Sequence, residues 1–149
     1  MSIISQRLVA NTNTQDVTLI LKDSGFVLTS SPAQVDGQDR IIDIGTGKVE
    51  GDVIVKVTDI EVDSGNELYG IICQFSNDGT FASGVTSPLT LFAGVPNPIP
   101  GDITLGVGNY TLPFVNVFGD VHYRYMRQYT FILGAVVSGI NYTSYIVYK

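Results

Sequence analysis

Val121-His122-Tyr123-Arg124-Tyr125-Met126-Arg127-Gln128-Tyr129-Thr130-Phe131-Ile132-Leu133, then residues 134–139 (GAVVSG), then Ile140-Asn141-Tyr142-Thr143-Ser144-Tyr145-Ile146-Val147-Tyr148, is the stretch that decides the fold. Side chains alternate along an extended chain. The first run therefore puts Tyr123, Tyr125, Tyr129, Phe131 and Leu133 on one face, and His122, Arg124, Met126, Gln128, Thr130 and Ile132 on the other. The second run sets Tyr142, Ile146 and Tyr148 against Asn141, Thr143 and Tyr145. Six of the eight tyrosines lie here. β-Branched and aromatic residues suit a pleated, half-buried surface better than a helix. The pattern predicts a long antiparallel hairpin turned at 134–139, with the rest of the chain packed on it. The stripe of Tyr123, Tyr125 and Tyr129 reads as core rather than as a ligand platform, because strand periodicity alone accounts for it. Arg127 falls among these aromatics. Either a bulge re-aims it, or a carboxylate or a partner holds it.

Working outward, residues 52–62 read as a central strand, with Val53, Val55 and Val57 alternating against Ile54, Lys56 and Thr58. Asp63-Ser64-Gly65-Asn66 is a turn of the Asx and glycine kind. Residues 67–75 then return, so these two strands are expected to pair as a hairpin. Ser76-Asn77-Asp78-Gly79 is a further turn, since Asp-Gly is a strong hairpin signal. Short strands are expected at 17–21, 26–28, 40–44, 103–105 and 108–114, with a turn at 22–25 and a loop at 30–39 containing Pro32 and Asp36-Gly37. Residues 81–91 are less regular, and residues 93–101 form a stiff proline loop. No stretch shows a capped helical period. About eight to ten short strands separated by turns predict an all-β fold: a sandwich, jelly roll or barrel.

One domain is expected for 149 residues, with residues 1–16 as an extended N-terminal arm. A chain of this size can bury enough surface to fold without a disulfide or a metal. The single cysteine, Cys73, lies in an apolar run and reads as a buried thiol. The start lacks the cationic and apolar pattern of a signal peptide, and no apolar run approaches the ~20 residues of a membrane span. A soluble protein made without Sec-type export is therefore expected. Net charge is −6, and nine of the 14 acids fall between Asp36 and Glu67. That argues against a nucleic-acid partner, which needs clustered Lys and Arg. Low charge with high apolar and tyrosine content fits either a surface covered by something else or a large all-β core.

The candidate chemistry is thin. Gly45-Thr46-Gly47-Lys48 lacks the spacing and the following helix of a phosphate loop and reads as a turn. His122, the only histidine, has no triad or metal partners suggested by the sequence and reads as structural or interfacial. Glu61, Asp63, Asn66 and Glu67 could gather oxygens for calcium, but EF-hand spacing is missing and a solvated turn is expected. Asn109-Tyr110-Thr111 and Asn141-Tyr142-Thr143 match the glycosylation sequon by chance. No enzyme activity, cofactor or metal is expected.

Three stretches, in order and spacing, carry a family resemblance: residues 42–47 (IDIGTG), residues 74–84 (QFSNDGTFASG) and residues 108–116 (GNYTLPFVN), followed by Tyr123-Arg124-Tyr125 and Ile140-Asn141-Tyr142-Thr143. Together they resemble the capsid cement, or decoration, proteins of tailed, mainly short-tailed, bacteriophages. The resemblance runs over roughly residues 1–148, with the proline loop as an insertion. It implies a jelly-roll β-sandwich on the outer surface of an icosahedral head, made in the host cytoplasm, bridging major coat subunits, often as a homodimer or homotrimer. It supplies no catalytic residue, and neither nucleic acid nor membrane as partner.

Tyrosine and arginine are favoured at interface hot spots. Arg124, Arg127, Tyr123 and Tyr125 are accordingly the first interface candidates. Ile3 and Arg7 in the arm, and Pro96 and Pro98 in the proline loop, follow, because extended segments can add to a neighbour's sheet edge. The alternative is a carbohydrate-binding β-sandwich of a phage adsorption apparatus. The lack of tryptophan weakens it, since sugar sites favour an exposed aromatic platform.

Overall fold

The computed structural model describes residues 19–94 and 106–149. The arm at 1–16, with Ile3 and Arg7, the proline loop, with Pro96 and Pro98, and the short strand expected at 103–105 lie outside the described residues.

The fold is an all-β sandwich of two antiparallel sheets. The valine run forms β7 (Glu50–Ile60), which buries Val53, Val55 and Val57 and leaves the intervening side chains partly exposed. It is central in its sheet because it pairs on one side with β10 (Gly108–Val115) and on the other with β14 (Ile140–Tyr148). β14 in turn pairs with β1 (Ile20–Lys22) and β2 (Phe26–Val27). The strand order of this first sheet is β1-β14-β7-β10.

The second sheet is built around β8 (Leu68–Ser76) and β13 (Tyr125–Leu133), which pair over their full length without a register shift. Outside them lie β9 (Thr86–Gly94) on β8, and β3 (Ser31–Pro32) with β6 (Ile42–Asp43) on β13. The order is β3-β13-β8-β9. Eight principal strands interleaved in this way between two sheets, each with a short fifth strand (β2 and β6), are a jelly roll, as expected. Two small ribbons complete it. β4 (Gln34–Val35) and β5 (Gln38–Asp39) join through Asp36-Gly37, both at positive φ, as a tight hairpin turn requires. β11 (Val117–Phe118) and β12 (Val121–His122) join through Gly119-Asp120 in the same manner.

Two of the expected strand pairings are overturned, and the loop expected at 30–39 holds the short strands β3, β4 and β5. The hairpin expected between residues 121–133 and 140–148 does not form, because β13 lies in the second sheet and β14 in the first. Nor do β7 and β8 pair, although only residues 61–67 separate them. Both connections are arches that carry the chain across the ~10 Å between stacked sheets. The two arches are tied together. Asn66 Oδ1 accepts the Ala135 N–H at 3.0 Å, and the Ser64 hydroxyl donates to the Ala135 carbonyl at 2.8 Å. At Gly134 an added Cβ would stand 2.3 Å from the Asn66 carbonyl, so only glycine admits this approach.

The acids expected as a solvated turn hold these arches from within. Glu61 Oε1 accepts the N–H groups of Val137 at 2.7 Å and Ser138 at 3.1 Å, while Oε2 accepts that of Asp63 at 2.9 Å. Fully buried Glu67 accepts from Ser64 and Asn66. The hydrogen bond with Glu67, and then these backbone donors, pull the Glu61 carboxyl down to about 2. Burial of both carboxyl groups is thus matched by directed hydrogen-bond donors.

Candidate partner interface

The outer face of β13 carries Tyr125, Arg127, Tyr129, Phe131 and Leu133. Its inner face carries Met126, Gln128 and Thr130, all fully buried. Tyr125 and Tyr129 are therefore not core residues. The polar inner face is admitted because β14 of the opposing sheet and Cys73 on the neighbouring β8 satisfy it. The Thr130 and Tyr142 hydroxyls meet at 2.6 Å, the Ser144 hydroxyl donates to Gln128 Oε1, and Gln128 Nε2 donates to the Cys73 sulfur at 3.7 Å. Cys73 is buried, as expected, and burial pushes its thiol up to about 12.

Register defines the outer surface. Gln74 stands opposite Arg127, Ile72 opposite Tyr129, and Gly70 opposite Phe131. Phe92 of β9 faces Gly70 from the other side. A Cβ on Gly70 would lie 3.4 Å from Phe131 and 3.8 Å from Phe92, so the two phenylalanines cover the buried Gly70 and form an apolar strip across the three strands. Phe131 is 36% and Leu133 49% exposed. Phe92, Phe131 and Leu133 thus make one end of this outer face apolar.

At the other end of the strip, the loop at 77–85 folds onto the sheet. Asp78 organises it, accepting from the Thr80 N–H and hydroxyl at 2.9 and 2.7 Å and from the Ala82 N–H at 3.2 Å. These donors, the Thr80 N–H foremost, hold its carboxyl below the usual range. The expected Asp-Gly turn is thus present, though it closes a wide loop between β8 and β9 rather than a two-residue hairpin. Phe81 adopts a left-handed φ of 56° and buries its ring. A non-glycine residue held there costs about 1–3 kcal/mol. The Arg127 guanidinium carbon lies 4.6 Å from the centroid of the Phe81 ring and 5.7 Å from that of Tyr129. The Arg127 Nε–H donates to Gln74 Oε1 at 2.8 Å. Neither a bulge nor a carboxylate holds Arg127; a cross-strand amide and two rings do.

Arg124 is engaged differently. Its Nε and Nη2 donate to the two carboxylate oxygens of Asp43 at 3.0 and 2.8 Å, and it lies over the Tyr125 ring. The Arg124 hydrogen bonds hold the Asp43 carboxyl below its ordinary value and raise the guanidinium. Tyr123 turns inward and packs against Phe118. The structure therefore gathers Tyr125, Arg124 and Arg127 on one side of the second sheet and gives Tyr123 a packing role. Composition did not single out Phe131, Leu133, Phe92 or Phe81. The period-two pattern of β13 was the available signal for the first two, had the opposite face been taken as core.

Other candidates take structural places. His122 is exposed on β12, and its carbonyl accepts from Asn77 Nδ2. The Gly45–Lys48 stretch is a loop, pinned by buried Asn116, whose side chain bonds the Val49 N–H and the Gly47 carbonyl. The buried Lys22 ammonium donates to the carbonyls of Asp23, Gly25 and Tyr142, and burial draws it down to about 8. Among the described residues no group of three or more His, Cys, Asp or Glu is placed to hold a metal ion. No described helix is long and apolar enough to cross a membrane.

The sheet edges are blunted. β3, β9 and β10 carry Pro32, Pro88 and Pro113, and β1 is three residues long. Proline cannot donate to a ladder, so lateral addition of a strand is disfavoured. No family model, no curated protein and no solved structure matches the chain.

Proposed function

We propose that the chain is a cement, or decoration, protein that binds the outside of a phage head and bridges major coat subunits as a homo-oligomer. The observation that carries this reading is the outward aromatic face of β13, where Tyr125, Arg127, Tyr129, Phe131 and Leu133 form a surface rich in hot-spot residue types. The jelly roll is the scaffold the sequence resemblance implies, and its proline-bearing edges direct contact to that face. A ligand that binds only the assembled lattice stabilises it by mass action. An oligomer bridging several subunits adds avidity, because its later contacts are intramolecular. A stable contact needs ~800 Å² per partner.

Co-sedimentation of the purified protein with expanded heads tests the reading. Saturable binding is expected, weakened in Phe131→Ser and Leu133→Ser variants that keep the native circular dichroism. Heads left bare by folded protein would overturn it. Binding to an immobilised glycan array without binding to heads would move the assignment to the carbohydrate alternative.

A further inference from the structure

We infer that Arg127 is a preformed receptor for a carboxylate of the partner protein. The inference deepens the proposed function and rests on it for the identity of the partner.

Arg127 is half-buried on the outer face, with its Nε–H spent on Gln74 Oε1 and the rings of Phe81 and Tyr129 beside its plane. Among the described residues no acceptor engages its terminal Nη groups and no acid forms an ion pair with it. A guanidinium whose Nε edge is taken and whose position is set by flanking rings presents its remaining fork in plane, the geometry that takes a carboxylate through two parallel hydrogen bonds. The backbone is arranged to this end. Phe81 is held in the left-handed region by its own N–H bonded to the Asp78 carbonyl, and its ring thereby reaches Arg127.

Arg124, three residues away, is the contrast. Its fork is already filled by Asp43. Asp39 lies near enough to act on Arg127 electrostatically but outside ion-pair distance. Phosphate is the other oxyanion a fork can take. The net charge of −6 and the neighbouring Asp39 and Asp43 favour a single carboxylate over a phosphate backbone.

Nitrogen-15 NMR of the arginine Nε–H groups in the free protein tests this without any head. Sodium acetate is titrated against sodium chloride at equal ionic strength, with sodium phosphate as a second arm. The Arg127 Nε–H signal is expected to shift saturably with acetate, and the Arg124 signal to stay in place. Equal movement of both, no movement beyond chloride, or saturation with phosphate alone would overturn the inference. On heads, Arg127→Lys, which keeps the charge and loses the fork, is expected to weaken binding about tenfold or more. An unchanged affinity there overturns it too. A positive acetate titration with bare heads would keep the carboxylate site and remove the cement reading, so the two failures are distinguishable.

Discussion

The hydroxyls of Thr130 and Tyr142 meet at 2.6 Å in the interior, each fully buried, and join β13 of one sheet to β14 of the other. Two strands adjacent in the chain therefore face one another across the core instead of pairing edge to edge. Burial raises the Tyr142 phenol, and the Thr130 hydrogen bond offsets only part of that rise. Replacing Thr130 with Val strands one hydroxyl, and a loss of about 1–3 kcal/mol in urea unfolding is expected. Combining Thr130→Val with Tyr142→Phe removes both partners, and its cost is expected to fall short of the sum of the single changes. Strict additivity would contradict the contact.

Acid stability depends on Glu61. Its folded carboxyl is pulled down to about 2 from 4.5 by Glu67 and the arch amides. A depressed acid contributes stability that is present above the unfolded value and lost as pH falls through the folded one. Melting temperature is expected to drop between pH 4.5 and 2. Glu61→Gln is expected to be less stable at neutral pH and to flatten that part of the profile. An unchanged slope in the variant would remove Glu61 as the cause.

Alkaline behaviour runs the other way. The Cys73 thiol and the Tyr69 phenol are both raised to about 12, by burial first. Each stabilises fully below its unfolded value and loses that contribution as pH rises through the folded one. Native Cys73 is expected to resist a maleimide at pH 8 and to react once urea unfolds the chain. Fast labelling of the native protein would contradict its burial.

Gly139 closes the arch into β14 with φ +86°, and an added Cβ would stand 1.9 Å from the Val27 carbonyl. The clash is with backbone, so it cannot be relieved by a side-chain rotation. Gly139→Ala is expected to cost about 3 kcal/mol or more, by strain and by loss of β2 from the sheet. A shift within about 0.5 kcal/mol would show that the arch is held otherwise.

Much of the fold was legible in particular residues. The alternation of Val53, Val55 and Val57 marked β7, the apolar setting of Cys73 marked a buried strand, and Asp36-Gly37 marked a tight turn. The partner of each strand was not legible. A reversal at 134–139 announces that the chain turns, and says nothing of whether it stays in its sheet or crosses to the other. The face of β13 was misjudged for a related reason. Hydrophobicity favours Tyr125, Tyr129 and Phe131 for the interior over Gln128 and Thr130. The partners that let these polar residues in, Ser144 and Tyr142, belong to the opposite sheet and reveal themselves only in three dimensions. Arg124 and Arg127, singled out by residue type, lie together on the outer side of the second sheet. The strained Phe81 beneath Arg127 left no mark in the sequence, because a left-handed phenylalanine has no compositional signal.

An image reconstruction of expanded heads saturated with this protein tests the central claim most directly. The account predicts a jelly roll seated on the coat lattice with the outer face of β13 against a coat subunit and a coat carboxylate at Arg127. A sandwich attached with that face turned to solvent, or heads carrying no added density, would contradict it.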